Sequence, residues 1–254
     1  MDGLWHLLAT RGEDFGYGCK FRHWSSFDLV SWKARADIFA CSNETGFSQF
    51  TWAPEFVEDS HGVLAFWSSR LSHSPHFRIL GARSTDWQSW STPFVLIDRE
   101  AQPPEGPTSI IDASIAREGD GRYSFFVADE PFGQRHAIWR AVSTRADGPY
   151  SDWVEVPTPR LCEAPSLVQF RREWLLFYDC TFAALAAPAH LRGSRPPYGL
   201  STSMSSIDAL NIAAGSCGVG GKPEFALPSD ISHASFVVVN ASSWRKLWRA
   251  FGST

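Results

Sequence analysis

The segment STDWQSW at residues 84–90 repeats an earlier segment, SFDLVSW at residues 26–32, and this repetition decides the expected fold. The Ser, the Asp and the final Trp are each displaced by 58 residues. Looser copies follow at residues 143–153 and 201–210. Repetition at a fixed pitch is the sequence signature of stacked supersecondary units, so the chain is predicted to contain about four similar units.

A second repeated feature is a hairpin signal before an apolar strand. Gly3, Gly62 and Gly121 are spaced by 59 residues, and each precedes an apolar run. Asp-Gly ahead of such a run is a strong short-range hairpin signal. Each unit therefore contains three or four strands with no amphipathic helix between them, which is typical of a β-propeller blade. We predict an all-β propeller with about four blades.

The composition limits the number of domains and the kinds of binding partner that are expected. A chain of 254 residues suits one domain, and we assign residues 1–254 to a single propeller that acts as a monomer. The net charge of −4, without a basic stripe, argues against nucleic-acid binding, and no apolar run is long enough to span a membrane. Five cysteines without metal spacing indicate buried thiols, or at most a disulfide or two.

The C-terminal region is predicted to form a helix at about 241–251, packed on the propeller flank. The prediction rests on the helical spacing of Trp244, Leu247, Trp248 and Phe251.

The innermost strand of each blade is expected to carry the chemistry. Counting eleven residues back from the second strands places Ala53, Asp112 and Glu163 at one shared position. The count starts from Leu64, Tyr123 and Trp174. Inner strands meet around a common axis, so Asp112 and Glu163 would converge on one channel mouth. Two carboxylates facing one pocket are what glycoside hydrolysis requires, because one acid protonates the leaving oxygen and one base activates water.

Five short strings, taken in order, resemble glycoside hydrolase family 43, and most closely its arabinosidase-like members. They are WAPEF at 52–56, IDASI at 111–115, EAPSLV at 163–168, YGLSTS at 198–203 and SHASFVVV at 232–239. The resemblance extends from Gly3 to about Phe251. It implies a five-bladed propeller that hydrolyses arabinofuranosyl or xylosyl linkages of plant carbohydrate with inversion.

The resemblance also implies roles for particular residues. Glu163 matches the general acid, and Asp112 matches the Asp that orients and tunes it. His233 matches a histidine on the central channel, where it would contact substrate. Trp52 would either stack on a sugar ring or fill the core between blades, and we take it as a candidate substrate-binding residue. No metal site or cofactor is predicted from spacing; a calcium ion in the channel would need several oxygen ligands that the sequence does not reveal.

The chain departs from the family pattern in two places. The general base of the family lies on the first strand of the first blade, and the same count from Trp5 falls before Met1. We therefore expect an N-terminally truncated glycosidase whose base strand is missing; the alternative is a catalytically dead, carbohydrate-binding propeller. SHAS replaces the R-H-G-S motif. Met1–Trp5 lacks a secretory signal, so secretion is expected only if a signal lies upstream.

Other acidic residues receive structural interpretations. Asp28, Asp86 and Asp208 recur with the repeat and are predicted to cap backbone donors in the blade turns. Glu55 is predicted to be structural. Asp129-Glu130 and Asp179 follow apolar strands and would either reach the channel or lie in loops; we favour loops.

Overall fold

The computed structural model describes residues 2–10, 20–29, 31–38, 50–70, 74, 76–97, 106–130, 137–158, 162–170, 173–179 and 198–203. Within these ranges the regular secondary structure is entirely β-strand, in agreement with the predicted all-β class. No helix in the same ranges is long and apolar enough to cross a membrane. The predicted C-terminal helix lies outside the described residues.

Among the described residues, fourteen strands form four antiparallel sheets that follow one another in chain order. The first sheet contains β1 (Trp5–Thr10), β2 (Phe21–Ser26) and β3 (Trp32–Ala34). The second contains β4 (Phe50–Asp59), β5 (Gly62–Arg70), β6 (Phe77–Ser84) and β7 (Phe94–Ile97). The third contains β8 (Ile110–Arg117), β9 (Tyr123–Asp129), β10 (Ala137–Ser143) and β11 (Ser151–Glu155). The fourth contains β12 (Glu163–Phe170), β13 (Glu173–Asp179) and β14 (Tyr198–Ser203).

The 58-residue repeat corresponds to one turn structure built twice. In the second sheet the Ser84 hydroxyl accepts hydrogen bonds from the backbone N–H groups of Asp86 and Trp87, at 3.2 and 2.9 Å. Ser26 does the same for Asp28 and Leu29, at 3.2 and 2.8 Å. The carboxylates of Asp86 and Asp28 in turn accept from later N–H groups of their turns, which confirms their predicted capping role.

The repeated glycines satisfy a backbone requirement. Gly3, Gly62 and Gly121 all have positive φ, at 72°, 114° and 91°. Residues with a Cβ rarely adopt this region, whereas glycine does so at little cost. At Gly62 a Cβ would also collide with the Ser84 carbonyl oxygen of the neighbouring strand. The hairpin signals seen in the sequence therefore mark real turns.

Apolar layers join each sheet to the next. Leu8 and Phe21 of the first sheet pack with Trp67 and Leu80 of the second. A larger cluster joins the second and third sheets; it includes Leu64, Phe66, Ile115, Phe125 and Val127. Another cluster joins the third and fourth sheets; it includes Phe126, Ile138, Trp174 and Leu176. Burial of these faces is the main force holding the sheets together. Cys162, at the third layer, is fully buried and disulfide-bonded, and the other cysteines lie outside the described residues.

The first strands of successive sheets are neighbours in space. Strand β8 contacts both β4 and β12, and β4 also contacts β1. The backbone N–H of Ala53 on β4 donates to Thr10 on β1 at 3.1 Å, and that of Asp112 on β8 donates to Ser68 on β5 at 2.9 Å. Strand β1 of the first sheet is therefore equivalent to β5 of the second sheet, which is the second strand of its blade.

Candidate active site

Each inner strand carries the same irregularity near its beginning. Pairing is interrupted between Trp52 and Glu55 on β4, between Ile111 and Ser114 on β8, and between Glu163 and Ser166 on β12. The first residue inside each interruption has a left-handed backbone, with φ of 47° at Ala53, 52° at Asp112 and 52° at Ala164. Two residues of each strand thus bulge out of the ladder at the same place.

This bulge explains the proline beside Glu163. Ala164 and Pro165 lie in the interruption of pairing between Glu163 and Ser166, so the proline stands at a bulge and not within the regular ladder. A proline is tolerated in a strand at such a point. Pro54 occupies the same place on β4. The Ala-Pro pairs in the sequence therefore mark the bulge that sets the direction of the neighbouring side chains.

The predicted equivalence of Ala53 and Asp112 is confirmed, but the predicted equivalence of Glu163 with them is wrong by one residue. The bulge geometry aligns Asp112 with Ala53 and Ala164, so Glu163 aligns with Ile111 and Trp52. Asp112 and Glu163 were misaligned because the hairpin after β8 is longer than the hairpin after β12: Arg117 pairs with Tyr123, whereas Phe170 pairs with Glu173. A constant count of eleven cannot hold across hairpins of different length.

Asp112 is a buried acid held in a constrained backbone conformation. Only 5% of its surface is exposed. Its φ of 52° places it in the left-handed region, which costs a non-glycine residue on the order of 1 kcal/mol, although Asp tolerates it better than most. Its backbone N–H donates to the Ser68 hydroxyl at 2.9 Å, across the contact between the second and third sheets. Both its backbone and its position are therefore set by the neighbouring sheet.

Glu163 reaches the same region from the fourth sheet. It begins β12, is 7% exposed, and pairs with Asp179 of β13 in the ladder. Strand β12 packs along β8, and the backbone N–H of Leu167 donates to the Ser114 hydroxyl at 3.3 Å. The two acids selected from the sequence thus lie on adjacent inner strands, one residue apart in register.

A third acid, Glu130, belongs to this group, although the sequence interpretation placed it in a loop. It follows β9 directly, is half-buried, and its backbone N–H donates to the Ser109 carbonyl at 2.7 Å. Burial raises the pKa of Glu130 to about 7, and the charges of Glu163 and then Asp112 raise it in the same direction. Glu130 therefore lies within electrostatic reach of both acids.

Asp129, the residue before Glu130, has a structural role. Its carboxylate accepts hydrogen bonds from the backbone N–H groups of Thr108 and Ser109, both at 2.8 Å, and from the Thr108 hydroxyl at 3.1 Å. These bonds hold the start of β8 against the end of β9. They also hold Glu130 beside Asp112, because Ser109 is the acceptor for Glu130. The prediction that Asp129 lies in a loop is therefore wrong, because Asp129 is the last residue of β9.

Trp52 lies between sheets and packs on one side. Its ring stacks on Phe77 with 4.5 Å between ring centroids, and it borders Ile111 and Ala128 of the third sheet. The indole is partly exposed. It therefore contributes to the core between the second and third sheets, and it occupies on β4 the position that Glu163 occupies on β12.

His233 and Asp208 lie outside the described residues. No group of three or more His, Cys, Asp or Glu side chains within the described ranges is arranged to hold a metal ion. The described residues therefore do not test the alternative of a calcium ion in the channel.

Similarity to solved structures supports the fold. A thermostable family-43 glycoside hydrolase matches with a TM-score of 0.60 and 16% identity, over 84% of this chain and 71% of that one. A native arabinanase of Bacillus subtilis matches with a TM-score of 0.59 and 15% identity, over 85% and 75%. A family-32 β-fructofuranosidase of Bombyx mori matches with a TM-score of 0.58 and 13% identity, over 82% and 45%.

At these identities the likeness shows the fold alone. No protein-family model matches the chain, and no curated protein matches it. The described sheets therefore share the architecture of these solved glycoside hydrolases. Evidence for a reaction comes from the geometry of Asp112, Glu163 and Glu130.

Proposed function

We propose that the protein is a glycoside hydrolase that cleaves α-L-arabinofuranosyl or β-D-xylosyl linkages with inversion. The proposal is carried by one observation: Asp112 and Glu163 are two buried acids on inner strands that pack against each other. Burial and crowding of acids favour the protonated form of at least one of them, which general acid catalysis requires, and in this group the pKa of Glu130 is raised to about 7. The similarity to an arabinanase supports the choice of sugar.

In this proposal Glu163 protonates the oxygen of the leaving group. Asp112 orients Glu163 and adjusts its acidity through its charge. Inversion further requires a carboxylate that activates water on the opposite face of the sugar. His233 and Trp52 are proposed to contact the sugar, Trp52 through the part of its ring that Phe77 does not cover. We further propose a five-bladed, monomeric propeller, with a calcium ion as an optional occupant of the channel.

The test is hydrolysis of 4-nitrophenyl α-L-arabinofuranoside, the corresponding β-D-xyloside, and arabino-oligosaccharides. Sucrose serves as a comparison, because a β-fructofuranosidase shares the fold. Proton NMR during the first turnovers distinguishes inversion from retention by the anomer released. Activity confined to sucrose, or products of retained configuration, would contradict the proposal.

Glu163→Gln tests the acid. We expect a loss of about 10²-fold or more on arabino-oligosaccharides, whose leaving group needs a proton, and a smaller loss on the nitrophenyl glycoside, whose leaving group does not. Glu58→Gln is the matched control, because Glu58 is an exposed residue near the far end of β4. Equal losses on both substrates would argue against a role as general acid.

Binding without turnover would support the alternative, a carbohydrate-binding propeller. Isothermal titration calorimetry with arabino-oligosaccharides measures this directly. In either case Trp52→Ala is expected to weaken sugar binding, whereas an unchanged dissociation constant would restrict Trp52 to its packing role.

A further inference from the structure

Hydroxyl groups connect neighbouring sheets around the candidate site. The Thr10 hydroxyl accepts from the Ala53 N–H at 3.1 Å, and the Ser68 hydroxyl accepts from the Asp112 N–H at 2.9 Å. In both cases the donor is the left-handed residue of the bulge in the next sheet. The same connection therefore occurs twice, once at an alanine and once at an acid of the candidate site.

The connection at Asp112 is fully buried. Ser68 has no exposed surface, and Asp112 has 5%. A buried backbone N–H that loses its acceptor has no water to replace it, so removal of the hydroxyl leaves a costly unsatisfied donor. Since the left-handed backbone of Asp112 is itself strained, loss of the bond would favour movement of this residue.

We propose that Ser68 is a positioning residue, which fixes the Asp112 backbone and thereby the placement of its carboxylate relative to Glu163 and Glu130. This inference rests on the proposed function. Ser68 acts from β5 of the second sheet, whereas Asp112 lies on β8 of the third. The geometry of the acids therefore depends on the contact between two sheets and not on one sheet alone.

The experiment compares Ser68→Ala with Ser69→Ala. Ser69 is the next residue of β5, is 2% exposed, and projects from the opposite face of the strand, so both variants remove one buried hydroxyl. For Ser68→Ala we expect kcat on arabino-oligosaccharides to fall by about tenfold to a hundredfold with KM within about twofold. Ser69→Ala should keep the wild-type kcat. Equal kcat values in the two variants would overturn the proposal.

A second readout does not require activity. The titration of Glu130, followed by carbon-13 NMR of its carboxyl group, reports the charge of Asp112 nearby. We expect its midpoint to move in Ser68→Ala and not in Ser69→Ala; an unmoved midpoint in Ser68→Ala would overturn the proposal even if the protein hydrolyses none of the substrates. If Ser68→Ala fails to fold, Ser68→Cys replaces it, because Cys keeps the shape of the side chain but is a weaker acceptor. The Glu130 midpoint should then move in Ser68→Cys.

Discussion

Acidification is expected to destabilise the contact between the first two sheets through His23. This residue is 3% exposed, and its Nε2 lies 2.9 Å from Nδ1 of His6. The His6 ring stacks on Trp87 with 3.8 Å between centroids, and its Nε2 lies 3.1 Å from the Asp2 carboxylate. Burial lowers the pKa of His23 to about 4, and the charges of His6 and Arg35 act in the same direction, against a smaller opposing effect of Asp2.

The magnitude follows from this pKa. The unfolded chain takes up the His23 proton near pH 6.5 and the folded chain near pH 4, so unfolding becomes easier as the pH falls between these values. At 1.36 kcal/mol per pH unit, the loss reaches about 2 kcal/mol at pH 5 and about 3 kcal/mol below pH 4. Above pH 6.5 His23 is neutral in both states and the contribution is constant.

Glu130 titrates in the same window with the opposite sign. Its folded pKa of about 7 exceeds the ordinary value of 4.5, so the folded state gains stability as the pH falls from 7 to 4.5. The wild-type protein alone can therefore show little net change between pH 7.5 and 5. A comparison of variants is needed to isolate His23.

The assay is urea denaturation at pH 7.5 and pH 5.0 for wild type, His23→Gln and His61→Gln. Because Gln does not titrate, His23→Gln should lose about 2 kcal/mol less than wild type between the two pH values. His61 is exposed, so His61→Gln should follow wild type. The same pH dependence in wild type and His23→Gln would refute the reasoning.

Two further predictions concern the acids and the hairpin turns. Glu163→Gln should lower the pKa of Glu130 from about 7, because the charge of ionised Glu163 raises it; carbon-13 NMR would show this, and an unchanged pKa would mean that Glu163 is not an ionised neighbour of Glu130 in the free protein. Gly62→Ala should destabilise the fold by about 2 kcal/mol or more, because its φ is 114° and a Cβ would meet the Ser84 carbonyl oxygen. Gly119→Ala, where a Cβ meets open space, should change the unfolding free energy little, and equal effects of the two substitutions in urea denaturation would contradict this account.

Local sequence was sufficient for the features that local hydrogen bonds create. The Ser-x-Asp segments at 26–28 and 84–86 predicted equivalent turns, because their side chains bond to backbone groups only two or three residues away. The spaced glycines predicted hairpin turns, because glycine readily adopts the positive φ that such turns need. Repetition of these signals was enough to predict an all-β chain of similar sheets.

The alignment of the acids could not be obtained in this way. The ladder between β8 and β9 closes through a longer hairpin than the ladder between β12 and β13, and this difference is known only from the paired residues. Counting along the chain therefore placed Asp112 and Glu163 at one position, although they differ by one. Glu130 gave no local signal at all, because its neighbours come from β8 and β12.

The sequence alone placed Asp112 and Glu163 near the start of inner strands, because the hairpin signals locate the second strands and the first strands precede them. Only the tertiary structure decided which residues of each bulge are equivalent, that Glu130 joins the two acids, and that Ser68 holds Asp112. The physical reason is that register and contacts between sheets depend on hydrogen bonds and burial that join residues distant in the chain.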